Sequence, residues 1–177
     1  MAEQEIISSV PSGKNGGTGQ GRSGCIQVVE FALGKELFAI DLFDVKEVVE
    51  YTTITRLPNV PASVKGIIDL RGEITTIIDL KGRLNITEES MTPAESSRIV
   101  VLDDTITESK TGILVDDVTS VSTFEQGDVD YTSASVAKDE TSIIGIIKRK
   151  IKVRDKEKNE LIIWINIKNL LGGIDTA

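Results

Sequence analysis

The sequence predicts a mainly β protein made of two similar small units that pack together, with short helices at their ends. Three observations carry that prediction. Hydrophobic residues make up 40% of the 177 residues but aromatics only 4%, so Ile, Val and Leu must fill the interior. Such β-branched enrichment suits a pleated, half-buried surface. Second, apolar runs are short and are punctuated by Gly, Pro and Asp, as strands joined by turns are. Third, the blocks recur in order. FAIDLFDVKEVV (38–49) resembles ILVDDVTSVSTF (113–124) with Asp41 over Asp116, Gly66-Ile67-Ile68 recurs as Gly145-Ile146-Ile147, and 77–84 recurs as 164–170 with a slip of one. Units this small bury too little surface alone and are expected to share a core.

Residues 1–24 read as a flexible Gly-rich arm without apolar periodicity. The arm contains G-x-G-x-x-G at Gly19, Gly21 and Gly24, but a dinucleotide fingerprint needs a strand before it and a helix after it. Here a linker precedes and a strand candidate follows. Segments 25–33 and 36–42 flank Gly34-Lys35 as a hairpin, with Val29, Phe31 and Leu33 on one face and Phe38, Ile40 and Leu42 on another. Asp44-Val45-Lys46-Glu47 opens a helical turn as a capping box, or 45–51 is a third strand. Two prolines keep 56–61 irregular. A second hairpin runs 66–71 and 74–80 across Gly72.

A polar connector at 85–97 divides the two units. Strands are expected at 99–102, 112–115, 118–124, 142–153 and 161–165. Residues 167–171 form a short helix stopped by Gly172-Gly173. The ordered domain is thus 25–172, with a tail at 173–177. The Gly-rich start and helix-capped end are expected of a complete chain rather than of a regulatory domain cut from a longer kinase.

Composition narrows the function. The formal charge is −8, from 20 basic and 28 acidic residues, which argues against nucleic acid as a partner. Cys25 is the single cysteine, so no internal disulfide can form; it reads as a small buried hydrophobe. The N-terminus lacks a secretory pattern and no 18-residue apolar run occurs, so a cytoplasmic protein without direct membrane insertion is expected. Histidine is absent, which removes the commonest general base and metal ligand. No catalytic residue, cofactor or metal is expected. A carboxylate-dependent, metal-binding hydrolase using Asp41, Asp79 or the pairs Asp103-Asp104 and Asp116-Asp117 is the contrasting reading. Adjacent strand aspartates point to opposite faces, however, and Asp41 and Asp116 suit local backbone capping.

Several blocks together resemble the CheW-type chemotaxis coupling proteins. These are F-x-L-G-x-E-x-F-x-I-D at 31–41, V-x-E-V at 45–48, P-x-x-V-K-G-I-I-D-L-R-G at 61–72 and I-I-D-L at 77–80. In the second half G-I-L-V-D-D-V at 112–118 and I-x-I-K-N-L-L at 165–171 agree. The resemblance implies two SH3-like five-stranded β-barrel subdomains related by pseudo-twofold symmetry. It also implies an adaptor that binds the regulatory domain of the histidine kinase CheA and the cytoplasmic tips of chemoreceptors. A kinase regulatory domain of the same fold is the near alternative.

The protein-binding candidates centre on Arg71, at a turn where it can anchor an interface or contact Asp69. Around it stand Ile67, Leu70 and Gly72. Val45, Glu47, Gly66 and Val121 join them because the resemblance places their counterparts in or beside a groove between the barrels. Residues 148–160 carry seven basic and three acidic residues, leaving −12 on the rest of the chain. Alternation puts Lys148, Lys150, Lys152 and Arg154 on one face of a hairpin with its tip at 155–159. That ribbon reads as a solvated edge whose lysines discourage aggregation, or as a secondary electrostatic contact with an acidic partner.

Overall fold

A computed structural model describes residues 24–87, 93–131 and 142–172. Most of the expected Gly-rich arm, much of the connector at 85–97 and the tail lie outside the described residues. Among the described residues, eleven strands form two sheets. The first half supplies β1 (Cys25–Leu33), β2 (Glu36–Asp41), β3 (Val45–Glu50), β4 (Val64–Leu70), β5 (Glu73–Asp79) and the helix α1 (Leu80–Arg83). The second supplies β6 (Arg98–Leu102), β7 (Thr111–Val115), β8 (Asp117–Glu125), β9 (Val129–Asp130), β10 (Ile143–Val153), β11 (Lys156–Ile165) and α2 (Ile167–Leu171).

The sheet orders expose the repeat. One runs β8-β1-β2-β11-β10-β9 and the other β3-β6-β7-β5-β4. In each, a hairpin (β1-β2 or β6-β7) pairs in parallel with the last strand of another hairpin, β2 with β11 and β7 with β5. Each sheet therefore takes strands from both sequence repeats. β6 and β7 of the second repeat complete the sheet of β3, β4 and β5, while β1 and β2 complete the other. The connector at 85–97 joins α1 to β6, so it runs between elements packed around the same five-stranded sheet.

Local chemistry explains the joints. Asp41 accepts a hydrogen bond from the Phe43 amide at 3.0 Å and caps a single 3-10 turn, Leu42–Asp44, before β3 begins. Asp44 thus closes the 3-10 turn and Val45–Glu47 open the third strand rather than a capped helix. Asp79 caps α1 through the Lys81 amide at 2.9 Å, and Asn166 caps α2 through the Asn169 amide at 3.1 Å, the same device at equivalent repeat positions. Asp116 works at long range instead. It accepts from the Gly34 amide at 2.7 Å and pairs with Lys81 at 3.0 Å, tying β7 to the first hairpin and to α1.

Three apolar clusters follow from this layout. Ile68, Ile77, Ile99 and Val101 fill the five-stranded barrel. Ile26, Val28, Ala39, Phe124, Val129, Ile147, Ile162 and Trp164 fill the six-stranded one. Between them lies the shared core, where repeat equivalents meet: Phe38 and Ile113, Ile40 and Val115, Ile78 and Ile165, Leu80 and Ile167. Cys25, expected to be buried, is exposed at the start of β1, and Ile26 takes the interior position.

Candidate functional site

The β4–β5 hairpin carries the predicted site. Leu70 pairs with Glu73, leaving Arg71 and Gly72 as a two-residue turn with φ of 52° and 85°. Positive φ at both positions makes the tight turn whose twist matches the strands. Gly72 relieves one of them and Arg71 bears the other. Asp69 accepts from the Gly72 amide at 2.7 Å. The expected Arg71–Asp69 contact is therefore absent from the described hydrogen bonds, because that carboxylate is engaged with the turn backbone.

Arg71 reaches across the barrel. Its guanidinium donates to Glu47 Oε1 and Oε2 at 3.1 and 3.0 Å. Glu47 belongs to β3 and Arg71 follows β4, the two outer strands of the five-stranded sheet, so this ion pair bridges the sheet's ends. The Arg71 side chain remains 73% exposed and Glu47 24%. An exposed pair of this kind stabilises by about 0–1 kcal/mol. The outer face of the guanidinium is open to solvent.

Beneath the pair lies a cleft of about 160 Å³ at the mouth of the barrel, lined by residues of β3, β4, β5 and β6, including Leu70, Arg71, Glu47, Thr75 and Val101. Its rim alternates in charge. Lys46 pairs with Asp104 at 3.4 Å, and Lys110 pairs with Glu73, whose hydrogen bond raises the lysine pKa. Thr75 and its neighbours on the rim escaped the reading of the sequence. The available signal was Thr75 itself, a polar residue on the β5 face that also carries buried Ile77.

Of the predicted residues, Glu47, Leu70 and Arg71 line this mouth together, with Gly72 in the adjoining turn. The others sit elsewhere. Val45 is buried in the shared core. Gly66 has φ of 147°, and a Cβ there would lie 2.1 Å from the Thr55 carbonyl oxygen. Ile67 exchanges two backbone hydrogen bonds with Thr55, at 2.9 and 2.8 Å, which holds that carbonyl in place. Gly66 is thus required by a close backbone approach. Val121 is exposed on β8 in the other sheet.

The basic ribbon is a hairpin with Lys148, Lys150 and Lys152 exposed, as alternation requires, but its turn is Arg154-Asp155, with φ of 52° and 63°. Residues 156–159 belong to β11, which corrects the expected tip at 155–159. Arg154 therefore leads its turn as Arg71 leads the other. Lys148 pairs with Asp130 at 3.4 Å.

The carboxylates do not converge for metal or acid–base chemistry. Asp41 and Asp79 cap helical turns, Asp116 holds Gly34 and Lys81, and Asp103 accepts from Thr105. Among the described residues, no group of three His, Cys, Asp or Glu side chains is placed to hold a cation. Hydrogen bonds from the Thr105 hydroxyl and amide hold the Asp103 pKa below its ordinary value.

The CheW-like domain family matches residues 27–174. A chemotaxis protein CheW of Bacillus subtilis is 32% identical over 133 residues, 75% of this chain and 82% of that one. One from Treponema pallidum is 37% identical over 105 residues, 58% of this chain and 61% of that protein, so the match spans about three fifths of that relative. The crystal structure of the scaffolding protein CheW from Thermoanaerobacter tengcongensis superposes with a TM-score of 0.67 at 32% identity, covering 86% of this chain and 95% of that one.

Proposed function

This chain belongs to the CheW-like domain family, a non-enzymatic chemotaxis scaffolding family, and on that premise we propose that it couples chemoreceptor tips to the histidine kinase CheA. The kinase contributes its regulatory domain, a fold of the same kind. The proposed protein-binding surface is the mouth of the five-stranded barrel, led by Arg71 with Leu70, Gly72 and Glu47. The observation that supports it is the exposed Arg71, held in a strained turn by a carboxylate from the opposite edge of the sheet. Arginine in such a position offers a planar, pre-organised donor to a partner.

Val121 on β8 is proposed as part of a second face, and the exposed lysines of the ribbon as an auxiliary electrostatic contact. Among the described residues no helix is long and apolar enough to cross a membrane, and a cytoplasmic location at receptor arrays accords with binding through partners. Standard interfaces bury roughly 800 Å² per partner, so both partners can be accommodated on separate patches. Amide shifts measured on adding the kinase regulatory domain and, separately, a receptor-tip fragment test the proposal. Two distinct patches, one including Arg71 and Gly72, are expected. Absence of shifts with either partner contradicts it.

A further inference from the structure

We propose that the mouth of the five-stranded barrel is a socket for a single carboxamide side chain, Asn or Gln, presented by a partner protein and read by the Thr75 hydroxyl. The inference rests on the adaptor reading above and names the chemistry that the Arg71 surface accepts.

Thr75 lines the cleft, is 1% exposed, and its Oγ1 has no hydrogen-bond partner. A buried hydroxyl left unpaired destabilises the fold. The repeat shows that the fold does not require it. Matching Gly66 to Gly145 aligns the two hairpins through their cross-strand pairs: Ile68↔Thr75 with Ile147↔Ile162, and Leu70↔Glu73 with Arg149↔Glu160. Thr75 thus corresponds to Ile162, fully buried and apolar. Leu70 corresponds to Arg149. In the six-stranded barrel that arginine fills the equivalent level, donating to Glu30 at 2.7 Å and to Glu160 at 2.8 Å. The chain plugs one barrel with its own side chain and leaves in the other a cleft lined by Thr75, whose hydroxyl is buried and unpaired.

The rim selects the occupant. Lys46, Arg71 and Lys110 are each matched by Asp104, Glu47 and Glu73, so the mouth offers no net charge. A charged side chain entering it loses hydration without a spare counter-charge, and an apolar one leaves the hydroxyl unpaired. A carboxamide is neutral and both donates and accepts, as the hydroxyl does. A cleft of about 160 Å³ has room for one such side chain.

The test pairs Thr75→Val, which keeps the shape and removes the hydroxyl, with Thr75→Ser, which restores the hydroxyl. Thermal unfolding is measured beside calorimetric titration with the kinase regulatory domain and with a receptor-tip fragment. The valine variant is expected to melt higher than the parent while binding one or both partners roughly tenfold more weakly, the scale of a hydrogen bond lost. The serine variant is expected to recover that affinity. A valine variant that binds both partners like the parent overturns the socket and leaves the adaptor reading standing. A parent that binds neither partner overturns both.

Discussion

Arg149 and Arg71 lie on corresponding hairpins, yet one folds into its barrel and the other over the rim. Arg149, on β10, bonds Glu160 across the hairpin and Glu30 on β1, and its guanidinium lies 5.9 Å from the centre of the Phe124 ring on β8. It therefore links β10 to β1 and β8 on the far side of the six-stranded sheet. Burial works against its charge, but hydrogen bonds to Glu160 and Glu30 hold its pKa above the ordinary value. Glu30, with a side chain 1% exposed, also accepts from Ser120 at 2.7 Å. Arg71 performs the same closure with one carboxylate, in solvent. A buried closure is committed to the fold, since removing one partner strands a charge. An exposed one costs little to open. Under the proposed function, the two barrels divide stability from recognition.

The hairpin glycines give the largest test of that division. Gly66→Ala combines a φ of 147° with a Cβ 2.1 Å from a backbone oxygen. Strain and overpacking, each ~1–3 kcal/mol, should together cost on the order of 4 kcal/mol in chemical denaturation. At Gly145 the nearest atoms are a Val129 side-chain carbon at 2.8 Å and the Asp130 carbonyl oxygen at 3.0 Å, and its φ is not in the left-handed region, so Gly145→Ala carries the overpacking alone and should cost roughly 1–3 kcal/mol. Equal losses would mean that the repeats are not differently constrained. Loss of partner binding in a Gly66 variant is, for the same reason, expected to accompany unfolding.

Next is Arg149→Met, which keeps the aliphatic packing over Phe124 but leaves Glu30 buried without its cation. A loss of about 3 kcal/mol is expected, and Glu30→Gln added to it should recover part of that loss. Additive effects of the two substitutions would show that the charges are not coupled. Arg71→Ala, by contrast, should change stability by about 1 kcal/mol or less.

The smallest effect concerns the strand that carries Glu47. Burial, and then the neighbouring carboxylates of Asp41 and Asp103, raise the Asp44 pKa above its usual 3.8, with Lys168 opposing them. A raised folded-state pKa means that Asp44 contributes stability below its unfolded value, lost as pH rises through the folded pKa. Asp44→Asn should therefore be modestly more stable than the parent at pH 7, with the gap closing in acid. In the other repeat the equivalent is Thr119, which donates to the Glu30 carbonyl at 3.3 Å, so no such pH dependence is expected there. A gap that persists unchanged at low pH would mean that neither burial nor the neighbouring carboxylates disfavour the Asp44 charge.

Much of this was legible in the sequence because repeats leave matched landmarks. Asp41 and Asp116, Gly66 and Gly145, and Asp79 and Asn166 each fall at equivalent joints, so strand order and short helices could be read from spacing. The exchange of hairpins between sheets could not. β1-β2 and β6-β7 have the same apolar alternation, and either could complete either sheet; only the packing of three cores decides. At the site, D-L-R-G gave the turn and its arginine. Alternation could not give the Glu47 partner, which sits 24 residues away on the far edge strand. Val45 shows the converse limit, since a bulge between Val45 and Glu47 turns the valine to the shared core.

The most direct measurement is the affinity of Arg71→Ala for the kinase regulatory domain and the receptor-tip fragment, taken with its melting temperature and set beside Arg149→Met. The expected result is an Arg71 variant that melts within a few degrees of the parent yet has lost at least one partner, and an Arg149 variant in which any lost binding follows lost folding. An Arg71 variant with intact folding and parental affinity for both partners would contradict it.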